Sequence, residues 1–427
     1  MNKNNPNPIR EEFEHLEDVQ AHLNTPNATW FNVVIQDVDL TSIDAPLAAA
    51  NPAGCHFLGC EIGPALAAAI AQSQTCLLFP KNKALPFNPY RTKLYAPEEL
   101  LGHFTTENIQ VETRTYSNSI DWKTYLTVAD PIDHKVFTND SIDTILSRRL
   151  HDTSIADALS DILRTTKKKG VVAIMGGHDM PRRHKLRNPG PPTPLGEELW
   201  EGQSDDSVYT RIALLAWKLT NEGYLLVTGG GPGAMEATHL GAWFATRPLP
   251  RLRAAIKTLE RCPEYKPGQS VEWLIPAMKV RRDDPIPMAD EAACQSIGIP
   301  TWFYGHEPPN PFATHIAKYF ENSVREEGLL AIATGGVIFA EGNAGTVQEI
   351  FQDACQNYYG TYGTAAPMIL FGRDYWDPPQ MPVYVNDKAK KVFPLVRKLA
   401  EEKGFTHRVI VTDSLREILR SLTAFKP

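Results

Sequence analysis

From Gly170 onward, short apolar runs alternate with segments whose apolar positions recur every three to four residues. The runs Val171–Met175, Tyr224–Thr228, Gly336–Ala340, Pro367–Phe371 and Arg408–Val411 predict strands. Ser207–Asn221, Ala234–Ala245, Thr346–Tyr358, Asp387–Lys403 and Ser414–Leu422 predict helices; in the first of these, Val208, Ile212, Leu215 and Leu219 share one face. Glu272–Ile275 reads as a further strand, and Thr314–Ala333 as one or two helices. Strands that are apolar throughout, alternating with helices, predict a Rossmann-like α/β fold: a parallel sheet with helices on both faces. A polar, proline-rich insertion, 181–202, interrupts the alternation.

Upstream the pattern is weaker. Residues 1 to about 25 read as a loosely packed arm. Phe31–Val34, Cys55–Leu58 and Thr75–Phe79 predict short strands joined by Asp, Asn, Pro and Gly. Residues 85–100 form a proline-punctuated connector. Residues 141–165 are helical in pattern, with Ile142, Ile145, Leu146 and Leu150, then Ile155, Leu159, Ile162 and Leu163. The expected division is a smaller N-terminal α/β unit at 1–165, whose role is not legible, and a nucleotide-binding domain at 166–427.

Composition narrows the function classes. At 427 residues the chain can hold more than one domain. Its net charge of −7 gives no support to a nucleic-acid groove. The one dense basic run, Lys167-Lys168-Lys169, reads as a solvated helix end. No apolar stretch of about 18 residues exists, and the N-terminus has no signal-like apolar core, so neither membrane nor export is expected. The six cysteines lie at 55, 60, 76, 262, 294 and 355, without zinc spacing, and read as buried reduced thiols. A cytoplasmic location is the resulting expectation, and no metal site or cofactor is expected.

Candidate chemistry lies in glycine turns, at 176, 229 and 342, each at the carboxyl end of a predicted strand. Ligands of open parallel sheets bind beyond that edge. Helix N-termini carry free N–H groups and partial positive charge, and glycine allows close approach of a phosphate. Gly229-Gly230-Gly231-Pro232-Gly233-Ala234 fits the loose dinucleotide pattern, but no acidic residue follows about 20 positions on, and no G-K-[ST] follows either. A mononucleotide phosphate fits better than NAD(P).

Two segments resemble motifs of the "lonely guy" family, also called lysine-decarboxylase-like proteins. GGGPGAMEA, from Gly229, resembles the family's GGGxxGxM; EGNAGTVQE, from Glu341, resembles its PGGxGTxxE. With Glu307-Pro308-Pro309-Asn310-Pro311 between them, the chain looks most like the bacterial nucleotide 5′-monophosphate nucleosidases. The resemblance spans roughly 170–425. Glu341 stands where the family has proline, and Asn343 where it has the second glycine. It implies hydrolysis of a nucleoside 5′-monophosphate to free base and ribose 5-phosphate, no pyridoxal phosphate, and a homodimer or higher homo-oligomer. It aligns Glu349 with the family's catalytic glutamate. Arg325 aligns with its catalytic arginine when one extra residue before the turn is allowed.

The residue types suit that reaction. The ribosyl centre becomes cationic, and a carboxylate stabilises it and orients or deprotonates water. The helix dipole is expected to favour ionised Glu349, and Arg325 to clamp phosphate or hold Glu349. Phosphate is expected on Gly229, Gly230, Gly231, Gly233 and Ala234, and on Gly342, Gly345 and Thr346. Gly177, His178, Met235, Glu236 and Asn343 are candidate substrate contacts. Without the motif, Glu349 reads as a dipole-complementing acid and Arg325 as a surface partner of Glu326. Arg182, Arg183 and His184 offer charge to a phosphate or only solvate a loop. Trp302, Phe303 and Tyr304 stack on a base or fill the core. Two other function classes stay open: a non-catalytic nucleotide sensor or carrier on the same fold, and more remotely a dinucleotide oxidoreductase.

Overall fold

The computed structural model describes residues 11–106, 108–128, 141–183, 207–303, 307–380 and 388–426. The chain forms two compact units, and the division differs from the expected boundary at 165. Residues 11–94 and 141–165 make one unit; 95–128 belong with the described residues from 166 onward.

The first unit carries a parallel four-stranded sheet of β1 (Glu11–Phe13), β2 (Val33–Gln36), β3 (His56–Leu58) and β4 (Leu77–Phe79), in that order. β1 lies within the segment expected to be a loose arm; it pairs with β2 and buries Phe13. Trp30, Ile35, Leu47, Phe57 and Leu66 build the core around it. Cys55 and Cys60 are buried and free, and burial pushes the Cys60 thiol up to about 11. Cys355 is exposed, which corrects the expectation that the cysteines are buried.

The second unit is the Rossmann-like α/β domain. Its strands are β5 (Val171–Met175), β6 (Leu225–Thr228), β7 (Ser296–Gly298), β8 (His315–Ile316), β9 (Gly336–Phe339), β10 (Met368–Phe371) and β11 (Val409–Thr412). They form one parallel sheet in the order β11-β10-β9-β5-β6-β7-β8. β5, β6, β9 and β10 are fully buried, as expected of strands with helices on both faces. From β5 the chain winds outward through β6, β7 and β8, then returns to place β9 on β5's other side. The carboxyl edge between β5 and β9 is therefore the topological switch point, where open α/β sheets leave a crevice.

Several elements depart from the expected pattern. The expected strand at Glu272–Ile275 lies inside the helix Ser270–Asp283, which buries Val271, Trp273, Leu274, Ala277, Met278 and Val280. A run of apolar residues as short as Trp273-Leu274-Ile275 has no legible period, and Pro276, which sits inside the helix, reads as a breaker. β7 and β8 are too short to pattern. The segment read as a connector continues into helices Pro97–Leu101, Ile109–Ser117 and Ile120–Val128. These dock on the second unit: Leu101 and Tyr116 pack with Val271, Trp273 and Leu274. Fully buried Asp121 anchors them, accepting from Lys318 Nζ at 2.5 Å, Trp302 Nε1 at 2.9 Å and Tyr116 Oη at 3.0 Å. No helix among the described residues is long and apolar enough to cross a membrane.

Candidate active site

A cleft of about 430 Å³ opens at the switch point, within the size range of small-molecule sites. Met175, Gly176, Gly177 and His178 line it beyond β5; Gly229, Gly231 and Met235 beyond β6; Pro300 and Thr301 beyond β7; and Asn343–Thr346 beyond β9. Glu307, Arg325, Glu326, Gln348 and Glu349 complete the wall. The topology thus brings both glycine turns and the Arg325–Glu349 pair to one place.

The turn after β6 is braced from within. Gly230 N–H donates to Thr228 Oγ1 at 2.9 Å, and Gly231 N–H to Met235 Sδ at 3.4 Å. Fully buried Asn310 holds the carbonyls: its N–H donates to Gly230 O at 2.8 Å, its Nδ2 to Gly231 O at 3.3 Å. Gly233 has φ +71°, and a Cβ there would lie 2.3 Å from Gly177 O, so the turn requires glycine whatever the ligand. Thr228 also meets His239 Nε2 at 2.7 Å, and Ser296 Oγ meets its Nδ1 at 2.9 Å; burial pushes this imidazole down to about 3, so it is a neutral strut. Gly230, Gly233, Ala234 and Gly342, expected at the phosphate, do not line the cleft.

Glu236, a candidate substrate contact, does not line the cleft. It is fully buried and accepts from Arg182 Nε at 2.9 Å, Arg182 Nη2 at 2.6 Å and Tyr209 Oη at 2.9 Å. Arg182 Nη1 donates onward to the carbonyls of Leu259 and Cys262. A carboxylate in a buried helix turn must find such partners, so Arg182 serves the core and not a phosphate. Arg183 pairs with Glu260 at 3.4 Å, and His184 lies outside the described residues. Trp302 is buried against Phe320, with ring centroids 4.7 Å apart, and is a core residue. Phe303 does not line the cleft, and Tyr304 lies outside the described residues.

The turn after β9 faces the cleft. Asn343 precedes the helix Ala344–Tyr359 in extended backbone, and its side chain leaves the first-turn amides uncapped. It donates instead to Asp179 at 3.2 Å. Glu341 lines a separate small hollow with Asp179, Tyr375 and Lys388, so its carboxylate is not part of the cleft wall.

Arg325, on the helix Asn322–Ile332, is aimed by Asn322, whose Oδ1 accepts from Nε at 3.2 Å and Nη2 at 2.9 Å. Its guanidinium lies 3.8 Å from Glu349 Oε1 and 3.7 Å from Glu326 Oε1. Glu326 in turn accepts from Gln348 at 2.8 Å. Arg325 and Glu349 are 12% and 14% exposed, enough for a ligand to touch both. Burial pushes the Glu349 carboxyl up to about 7; Arg325 draws it down and Glu326 raises it. Burial thus opposes the ionised form that the helix dipole was expected to favour. Across the mouth, His178 Nδ1 and Glu307 Oε1 are 3.1 Å apart.

Chemically, the cleft offers amide donors at a helix N-terminus, one guanidinium, and a carboxyl group poised to exchange a proton near neutral pH. Glu307, Glu326, Pro300 and Thr301 were missed as wall residues because β7, which delivers two of them, is three residues long. No protein-family model matches the chain, and no curated protein does. Among solved structures, the X-ray structure of TM1055, a structural-genomics target, is 17% identical and covers 47% of this chain and 72% of that one. Its TM-score of 0.24 is too low to carry an argument about this chain.

Proposed function

We propose that this protein hydrolyses the N-glycosidic bond of nucleoside 5′-monophosphates, as the resemblance to the "lonely guy" family implies. The observation that carries the reading is the Arg325–Glu349 pair, 3.8 Å apart, in a cleft whose floor is an uncapped helix N-terminus. In this reading the 5′-phosphate sits on the amides of Ala344–Thr346 and is met by Arg325. Glu349 takes a proton from water and stabilises the ribosyl cation. The water oxygen bonds to C1′, the C1′–N bond breaks with its electron pair going to the base, and the base takes up the proton that water gave to Glu349, which returns the carboxylate to its starting form. The products are free base and ribose 5-phosphate. That Glu341 lies off the cleft wall supports the reading, because a second carboxylate beside the phosphate would repel it.

The test is ribose 5-phosphate release from purine, pyrimidine and cytokinin monophosphates. Release from at least one is expected. Tight binding of a monophosphate with no release from any would favour a nucleotide sensor on the same fold.

A further inference from the structure

In the proposed hydrolysis Glu349 takes a proton from water, and the departing base must gain one or leave as an anion. In a single displacement the water attacks the face of the sugar away from the base. The group beside the water cannot reach the base at the same moment, which is why inverting glycosidases divide the two transfers between two groups. The cleft therefore needs a second proton donor. Among its described lining residues the ionisable side chains are His178, Glu307, Arg325, Glu326 and Glu349. Arg325 keeps its proton. Glu326 accepts from Gln348 at 2.8 Å and lies 3.7 Å from Arg325. His178 and Glu307 remain, with Nδ1 and Oε1 3.1 Å apart.

The placement of this pair suits the task. Phosphate on Ala344–Thr346 would take the β9 side of the cleft, which leaves the base the side of β6 and β7, with Gly231, Pro300 and Thr301. Glu307 belongs to that side: its Oε2 is 3.2 Å from where a Cβ on Gly231 would stand. Glu307 faces one ring nitrogen of His178 and so sets the direction of the other. His178 is 51% exposed, so its ring can meet both ligand and solvent.

We propose that His178, oriented by Glu307, is the general acid that protonates the departing base. The assignment rests on the hydrolysis proposed above. The Nε2–H bond breaks, its proton goes to the base, and the C1′–N electron pair leaves with the base. The imidazole then regains a proton through solvent, the one Glu349 received from water, and both groups return to their starting forms.

The test compares His178→Asn with wild type on two substrates. One is whichever purine, pyrimidine or cytokinin monophosphate wild type cleaves fastest. The other is nicotinamide mononucleotide, whose pyridinium base leaves as a neutral molecule and needs no proton. On the first, kcat should fall by about 10²-fold or more. On the second it should change by less than about threefold, because no acid is required. Glu307→Gln should show the same selectivity with a smaller loss. Equal losses on both substrates, no loss on either, or no nicotinamide release by a wild type that cleaves the first would overturn this assignment and leave the hydrolysis standing. No release from any monophosphate by wild type would overturn the hydrolysis, and the assignment with it.

Discussion

The two glycine turns look alike in sequence and behave differently in the fold. The turn at 229–234 is braced from within, although Gly229 and Gly231 reach the cleft: Thr228, Met235 and Asn310 use its polar groups, and Gly233 is fixed by contact with Gly177 O. The turn at 342–346 opens outward, its helix uncapped, and a Cβ on Gly345 would meet nothing within 4 Å. Both satisfy the same local rule, strand then glycine then helix. The first spends most of its polar groups on packing helix against sheet; the second leaves its first-turn amides uncapped on the cleft wall. A glycine-rich turn is therefore evidence of a site only when its donors remain unspent.

The contrast predicts a ranked set of effects. The largest is the requirement for phosphate. If the second turn binds it, nucleosides should be hydrolysed at least about 10²-fold more slowly than their monophosphates, because that binding energy positions the sugar. Equal rates for adenosine and its monophosphate in a base-release assay would break the account.

Next, the two turns should respond oppositely to a methyl group. Gly345→Ala adds a Cβ facing open space, so stability should hold while monophosphate affinity falls by roughly tenfold as a phosphate oxygen is crowded. Gly233→Ala should instead lower stability by about 1–3 kcal/mol, from a left-handed backbone and a blocked carbonyl. Calorimetric affinity and thermal melting of both variants separate the two roles. A stable Gly233→Ala with lost binding would reverse the assignment.

The pH dependence is a smaller effect with a defined sign. Glu349 must be ionised to act as a base, so turnover should fall as pH drops through about 7. Arg325 favours the ionised form, so Arg325→Ala should move that inflection upward. A pH–rate profile of both proteins checks it; a downward shift would contradict the pairing.

The smallest effect concerns stability. Burial pushes the Asp353 carboxyl up to about 8, above its ordinary value of 3.8. Between those values the folded state holds a proton that the unfolded state has released, so this group's contribution declines as pH rises through the window. Asp353→Asn should melt about 2–4 °C above wild type at pH 9. The difference should vanish near pH 4. An equal gap at both ends would remove the titration argument.

The sequence made the second unit legible because its buried strands are long enough to have a pattern: β5, β6, β9 and β10 lie where their apolar runs predict. Their order could not be read, yet it is the return of β9 to the side of β5 that makes the cleft. Among the strands of two or three residues, β1, β7 and β8 left no period and were missed, while β3 and β4 lie within apolar runs that predicted them. Glu349, Arg325, His178 and Asn343 were found from motif and position, and all line the cleft. Glu236 was misread because a carboxylate one turn into a helix looks the same in sequence whether its face is wet or packed. Its partner Arg182 lies 54 residues away, inside the insertion at 181–202. Asn310, which ties the first turn, is placed by tertiary folding alone.

Whether Glu349 acts on a substrate held mainly by the turn beside it is tested most directly by Glu349→Gln under saturating nucleoside monophosphate. Amide replaces carboxylate at constant size, so calorimetry should show monophosphate affinity within a few-fold of wild type, because the proposed mode assigns the phosphate to Ala344–Thr346 and Arg325, which line the cleft. Ribose 5-phosphate release should fall by roughly 10²-fold or more. Release by the variant at a rate comparable to wild type would contradict the account.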